Sequence, residues 1–548
     1  AGVIICEVTQ GNNQALAAAA FSPFEIQPFV DEPADFDAFW NGQKSLLADV
    51  PIDPVVTFYQ SNTYSTSYRI KLNNVDNRKV YGYIVIPNGP GPFPAILDLP
   101  PYGTIADLAV PNVGLAEQGG VIAVSIVIHN APADQVDPDA YLPDNYADKD
   151  SSYYRWAILS GIRAIDFIFT RNEFNGTDLG VVGVSQGAGL ATIVSGLDSR
   201  VKLLAMSNPV LSQNAGLKYN RAGGFPNFIQ NSRSSFGTIS HEEATVDATR
   251  YYDAMFHIRR YGNPLYANLS YEDVVTPAET GFATINQSSG KKILLHSLEL
   301  GHTHPFEYWV KRQDFIRRVF PSTLTTHPFP YSSNDQGYWI DAGDDLIISG
   351  TTAGLTASIL KNGSNNPSFI LGWKKISGPG NVSFSNINDY NTSATFSSNG
   401  TYELEFSGRD EAQLAVDKKY FTLSDRVIIT VGDGGNNNTL PTVTISTPAV
   451  DVGSSFVVTA DISENITGFT LSDISLSNAT VTDLSGSGSN YTFTVNPITE
   501  GTITVVIPSF EFVDNQGAGN EAPSNTLTLI YTDPGGGGGN SNCDNPTN

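Results

Sequence analysis

Between an apolar run over 179–182 and an uninterrupted helix-like stretch over 188–196 lies the pentapeptide Gly183-Val184-Ser185-Gln186-Gly187. Gly-x-Ser-x-Gly alone is a weak signal in a chain with 50 glycines. Set between a strand and a helix it constrains the fold, because it reads as a strand, a sharp turn and a helix with a hydroxyl held at the turn. The outer glycines have a chemical reason: such a turn strains the serine backbone and brings strand and helix too close for Cβ atoms. Ser185 is therefore the candidate nucleophile, presented outward from a sheet.

The surrounding text fits that reading. Strands are expected over 80–86, 95–99, 121–128, 179–182, 203–206 and 293–298, and helices over 36–47, 153–169, 188–197, 277–285 and 306–320. Short β-rich runs alternating with longer helical ones predict an α/β domain over 21–325, with a mostly parallel sheet covered on both faces. Residues 1–20 read as an N-terminal extension. Beyond Pro328 the text turns to Thr, Ser, Val, Asn and Gly in short alternating runs, the pattern of β-sandwiches. Two sandwiches are expected, over 331–431 and 441–533, joined by a polar linker at 432–440 and followed by a Gly/Asn-rich tail at 534–548. The glycine run 535–539 implies that the natural chain continues or that its end tethers to something.

At 548 residues the chain exceeds one core and divides into several domains. A net charge of −25 disfavours nucleic acid and anionic membrane surfaces as partners, since both need a basic footprint. No apolar run nears the roughly 20 residues of a spanning helix. With only Cys6 and Cys543 there is neither a disulfide framework nor a zinc-type cluster. After Arg426 no Lys or Arg occurs, which suits a secreted or cell-surface setting, with any signal peptide already removed.

A serine hydroxyl needs a histidine base oriented by a carboxylate, and in α/β-hydrolases these follow the serine as acid, then histidine. Asp273 is the expected acid, in a loop between a strand candidate at 264–269 and a helix that opens with Thr276-Pro277-Ala278-Glu279, read as a capping box. Glu272 is its rival. His302 is the expected base, on the loop after the strand at 293–298 and behind Gly301; His304 is the alternative. His129, His241, His257, His296 and His327 read as ordinary surface or packed residues. Donors for an oxyanion are expected from the backbone N–H groups of Gln186 and of Tyr102, the latter because Pro100 and Pro101 have none.

Ser185-Gln186-Gly187, Tyr153-Tyr154-Arg155 with Arg163-Ala164, Leu197-Asp198-Ser199-Arg200-Val201, Asp35-Phe36-Asp37-Ala38-Phe39-Trp40 and the stretch 273–286 together resemble the acetyl xylan esterase (cephalosporin-C deacetylase) family of carbohydrate esterases. The resemblance implies an α/β-hydrolase fold, a triad of Ser185, Asp273 and His302, an oxyanion hole at Tyr102 and Gln186, an acetylated carbohydrate substrate such as acetylated xylan, no cofactor, and a ring-like homo-oligomer. The chain departs from the family at His129-Asn130-Ala131-Pro132, where members carry Arg-Gly-Gln, and at Ala188, where they carry glycine. Both departures bear on substrate preference and assembly.

The segment 331–431 resembles PKD-like modules, with Trp373 read as sandwich core rather than a sugar platform. The segment 441–531 resembles bacterial Ig-like repeats. Acidic loops at Asp341/Asp344/Asp345 and Asp514/Glu521 carry the oxygen ligands that structural Ca²⁺ takes, with solvated turns the plainer reading. Two further readings stay open: an α/β-hydrolase of other specificity (peptidase, lactonase or polyester hydrolase), and a cell-surface adhesion or glycan-binding protein with a relic hydrolase.

Overall fold

The computed structural model describes residues 1–10, 13–103, 109–141, 146–235, 239–321, 337–361, 364–365, 368–432, 441–449, 452–509, 512–514, 519–520 and 523–532. The linker at 433–440, the tail from 533, His327, Glu521 and Cys543 lie outside the described residues.

An antiparallel hairpin of β1 (Gly2–Gln10) and β2 (Asn13–Phe21) precedes the α/β region. Its alanine-rich second strand has weak strand propensity, which is why the sequence suggests only an extension there. The α/β region then runs α1 (Phe36–Ala48), β3 (Val55–Ser61), β4 (Ser65–Asn73), β5 (Lys79–Pro87), β6 (Phe93–Leu99), α2 (Val113–Gly119), β7 (Ile122–Val127), α3 (Tyr153–Phe169), β8 (Phe174–Val184), α4 (Gln186–Leu197), β9 (Val201–Ser207), α5 (Phe228–Ser235), α6 (Ile239–Thr249), α7 (Ala254–His257), β10 (Leu265–Ser270), α8 (Ala278–Ile285), β11 (Lys292–Ser297) and α9 (Phe306–Val319). Strands β7, β6, β8, β9, β10 and β11 are parallel, while β3, β4 and β5 form an antiparallel flank.

Both faces of this sheet are covered, and the strands show it at period two. Ile122, Val124 and Ile126 join the core under α1, α3, α4 and α8; Val121 and Ala123 join the one under α2 and α9. A strand buried on both sides has no polar alternation, hence the apolar run at 121–128, broken only by Ser125. Helix α1 is anchored by Trp40, whose Nε1–H donates to the Tyr251 carbonyl at 2.9 Å. Arg163 of α3 donates to the Val50 carbonyl at 2.9 Å, so the buried arginine ties the body of α3 to the chain just past the end of α1.

Behind Trp40 sits His257, fully buried, with Nε2–H donating to the Tyr251 carbonyl at 2.9 Å. Burial pushes its pKa down to about 3. A folded value below the unfolded one means the unfolded chain takes up a proton first, so this histidine's contribution to stability is full above about pH 6.5 and is lost as pH falls toward 3. As pH falls from 6.5 to 5, unfolding free energy against pH should therefore be shallower in His257→Gln than in the parent by a margin that grows from about 0.7 toward about 1.4 kcal/mol per pH unit. Urea titrations of both proteins at several pH values check this, and parallel slopes would count against it.

The strand Lys419–Val431 of the following sandwich pairs antiparallel with the outer edge of β11, from Lys292↔Ser424 to Ser297↔Lys419. It pairs in turn with Gly400–Asp410, and that with Ile370–Ser377, so one sheet of thirteen strands among the described residues runs through both regions. The core is shared as well: Ile293, Leu295 and Phe315 pack in one cluster with Tyr338, Phe406 and Phe421. Side chains of this kind contribute about 1.5–3 kcal/mol each when buried. At the seam His296 is fully buried, stacked on Tyr420 at 4.0 Å and hydrogen-bonded to Thr422 Oγ1 at 2.8 Å. Trp373 is 3% exposed and its Nε1–H donates to the Asp389 carbonyl at 3.0 Å, an interior position rather than a platform.

The last region has a core of its own around Val458, Phe493 and Ile503. Asp341 pairs with Lys291 at 3.2 Å, and Asp345 accepts from the Ile428 N–H at 2.7 Å; these acidic loops serve as ion-pair and turn groups. Among the described residues no group of three or more His, Cys, Asp or Glu side chains is placed to hold a metal. No helix among them is long and apolar enough to cross a membrane.

Candidate active site

Ser185 sits between β8 and α4 with φ 53° and ψ −119°, a left-handed backbone that a non-glycine residue holds only under constraint from its surroundings. The constraints are visible on both sides. A Cβ at Gly183 would stand 2.2 Å from the Gly187 carbonyl oxygen, and one at Gly187 would stand 2.1 Å from the Leu99 carbonyl oxygen. Only glycine lets the turn close against itself and against the end of β6. Gly187→Ala should accordingly cost about 3 kcal/mol or more, because both neighbours are backbone and cannot swing away. A melting temperature equal to that of the parent would show the turn to be looser than described.

Ser185 Oγ–H donates to His302 Nε2 at 2.9 Å, and His302 Nδ1–H donates to Asp273 Oδ2 at 2.7 Å. Asp273, fully buried, lies on the loop after β10; His302 lies on the loop after β11. Both loops leave the carboxyl edge of the parallel strands, the same edge at which β8 delivers Ser185, which brings residues 88 and 117 positions apart within bonding distance. The carboxylate accepts three further bonds. Oδ1 takes the N–H groups of Val275 at 2.9 Å and Thr276 at 2.8 Å, and Oδ2 takes the Thr276 hydroxyl at 2.7 Å. Four donors surround the carboxylate, and its bond to His302 fixes the imidazole tautomer with the proton on Nδ1.

The rivals fall away on geometry. His304 turns edge-on to Trp309, with ring centroids 4.8 Å apart, and its burial depresses its pKa. Burial, then Glu299, raise the carboxyl pKa of Glu272, whose N–H is spent on the Leu300 carbonyl at 3.0 Å. The capping box expected at Thr276 does not form. Pro277 is the N-cap of α8 without a side-chain bond, Thr276 serves Asp273 instead, and Glu279 pairs with Arg221 at 2.7 Å. The motif is satisfied in spelling, but the stronger charged acceptor took the hydroxyl.

Tyr102 and Ser185 line one cavity of about 400 Å³, together with Pro101, Phe225, Val275 and His302. The Tyr102 loop is held from behind. His129 Nε2–H donates to the Gly103 carbonyl at 2.7 Å, and the Tyr153 hydroxyl donates to His129 Nδ1 at 2.5 Å. Burial depresses the pKa of His129, consistent with a neutral ring that donates on one side and accepts on the other. Gln186 is fully buried; its side-chain amide donates to the Pro101 carbonyl at 3.3 Å and accepts from the Tyr154 hydroxyl at 3.1 Å. The sequence reading treats His129 as an ordinary packed residue. Its position right after β7, where the related family carries Arg-Gly-Gln, was the available signal that this residue braces the loop. Asn208 is a second residue missed: its amide donates to the Thr303 carbonyl at 2.8 Å, which steadies the histidine loop.

A family model described as Acetyl xylan esterase (AXE1) matches residues 24–312, more than half of the chain. The chain belongs to the acetyl xylan esterase family. A second model, bacterial Ig-like domain, matches residues 437–531. Among curated proteins this acetyl xylan esterase family member is 28% identical over 299 residues to acetyl esterase Axe7A of Xylanibacter ruminicola, a match covering 52% of this chain and 66% of that protein, just under two thirds of its length. Among solved structures, acetyl xylan esterase 1 from Thermoanaerobacterium sp. JW/SL YS485 shares the fold with a TM-score of 0.50 at 19% identity, over 54% of this chain and 97% of that one. The acetyl xylan esterase from Paenibacillus sp. R4 matches at 25% identity and a TM-score of 0.49, over 54% of this chain and 98% of that one.

Proposed function

We propose that this member of the acetyl xylan esterase family is a secreted serine esterase that removes acetyl groups from carbohydrate esters, acetylated xylan and its oligosaccharides foremost. The observation that carries the reading is the unbroken chain of hydrogen bonds from Ser185 through His302 to buried Asp273, opening on a cavity of about 400 Å³. Ser185 Oγ attacks the acetyl carbonyl carbon while His302 Nε2 takes its proton. The tetrahedral oxyanion is met by the backbone N–H groups of Gln186 and Tyr102. Collapse expels the sugar alkoxide, which leaves with the proton from His302, and an acetyl-Ser185 ester remains. Water, deprotonated by His302, attacks that ester, and acetate and the free serine result. Asp273 holds the tautomer and stabilises the imidazolium that forms in each half. These side chains and N–H groups suffice for the sequence of steps.

In this reading the hydrolase covers 21–325, a PKD-like sandwich 331–431 and a bacterial Ig-like sandwich 441–533, modules of a kind common outside cells. The test is a substrate panel: acetylated xylo-oligosaccharides, other acetylated glycans, longer-chain esters, lactones and peptide amides. Acetate release should be fastest from the acetylated xylo-oligosaccharides. A clear preference for amides, lactones or long acyl chains would assign the same triad to another hydrolase reaction.

A further inference from the structure

The cavity at Ser185 has a neighbour. Tyr102 and Phe225, whose rings meet edge to face at 4.8 Å, form a common wall, and on the other side opens a second cavity of about 230 Å³. Five tyrosines line it, with Asn227 and Asn231 among the polar remainder. Its inner wall is knit together by ring contacts and hydrogen bonds. The Tyr141 ring lies against Tyr102 at 4.5 Å, its hydroxyl accepts from the Gln186 amide at 3.2 Å, and the Tyr153 hydroxyl is engaged by His129. Burial pushes the Tyr141 hydroxyl up to about 12, so that wall stays uncharged. On the outer side the Asn227 side-chain amide has no hydrogen-bond partner among the described residues, although its backbone is pinned at φ 59°.

We propose that this tyrosine-walled cavity is a subsite for a neutral pyranose ring of the glycan that carries the ester, one ring away from the acetylated sugar at Ser185. The proposal rests on the esterase reading of Ser185. The chemistry of the lining selects the ligand. Aromatic faces pack against the C–H faces of a sugar, and carboxamides pair with its hydroxyls in both directions. Among the described residues no Leu, Ile or Val lines the cavity to favour an acyl chain, and no Asp, Glu, Lys or Arg lines it to pair with a charged substituent. Its volume falls below the roughly 300–1,000 Å³ of sites for larger ligands and suits a single ring. The cavity lies directly beyond the site of the departure at His129, so the altered segment shapes the subsite through Tyr153 and the Tyr102 loop.

The test uses the full chain with Asn227→Gly, which tolerates the positive φ, and Tyr146→Leu, which removes one aromatic wall. Substrates are monoacetylated xylotriose and p-nitrophenyl acetate, with unacetylated xylotriose as inhibitor. In each variant the ratio of kcat/KM on the oligosaccharide to that on p-nitrophenyl acetate should fall about tenfold, carried by KM, and the inhibition constant of xylotriose should rise in step. An unchanged ratio in variants that melt like the parent overturns the proposal. Ser185-dependent turnover of p-nitrophenyl acetate that xylotriose never inhibits removes the subsite and leaves the esterase standing. Absence of Ser185-dependent turnover of either ester removes both. Should Tyr146→Leu unfold, Asn227→Gly and the inhibition constant decide.

Discussion

Ser185→Ala should lower kcat on p-nitrophenyl acetate by about a millionfold, the scale of triad serines, with KM little changed. On the proposed mechanism the size follows from what is lost: without Oγ no acyl-enzyme would form, His302 would have no proton to collect, and only the proposed N–H donors at Gln186 and Tyr102 would remain to favour attack by water. Stability should hardly move. Alanine at φ 53° is as strained as serine, and the hydroxyl's one bond, to His302, is made at a partly exposed ring whose side chain is 29% accessible. Steady-state kinetics on enzyme freed of parent contamination decides it. Residual turnover above about one part in a thousand, at unchanged melting temperature, would mean another group performs the attack.

The second large effect is expected from Asp273→Asn, about ten-thousandfold in kcat. The local hydrogen bonds dictate how the amide must sit. Its oxygen has to take the place of Oδ1, because that atom accepts two backbone N–H groups, from Val275 and Thr276, and an NH₂ there would meet donor with donor. The NH₂ then faces His302 Nδ1, which can only accept, and the ring proton moves to Nε2, the nitrogen that must receive the serine proton. The variant keeps the shape of the site and inverts its tautomer. Asp273→Ala should be similarly inactive but less stable, since it leaves those buried N–H groups without an acceptor. If Asp273→Asn kept more than a few per cent of kcat, Glu272 or water would be orienting the ring instead.

How much of this was legible in the chain depends on the range of the interaction. The elbow was, because two glycines, a serine and their strand and helix are contiguous. The proposed acid and base could be read to within a residue or two, since each follows a recognisable strand; that His302 and Asp273, rather than His304 and Glu272, bond in line with Ser185 is a matter of the loops' geometry. Helix α3 is found at its expected bounds because its apolar surface is nearly continuous. Thr276 was misread, because the letters of a capping box do not reveal that a buried carboxylate three residues earlier competes for the same hydroxyl. His129 was passed over, because its partners, Gly103 and Tyr153, are joined to it only by the fold. The pairing of β11 with Lys419–Val431 had no signature at all: backbone N–H and C=O groups are the same in every residue, and alternation tells which face is buried, not which strand is next door.

That last pairing changes what the outer boundary of the catalytic sheet is. An unaccompanied β11 would offer its outward-pointing N–H and C=O groups to any passing strand, including that of another copy. Here the chain supplies the neighbour itself, and the exposed margin passes to Ile370–Ser377, which carries Lys374 and Lys375 on consecutive positions, side chains that discourage strand addition. The sandwich is thus not cargo on a hinge but a selvage woven onto the hydrolase, and the β11 margin is closed to strands from other copies of this protein.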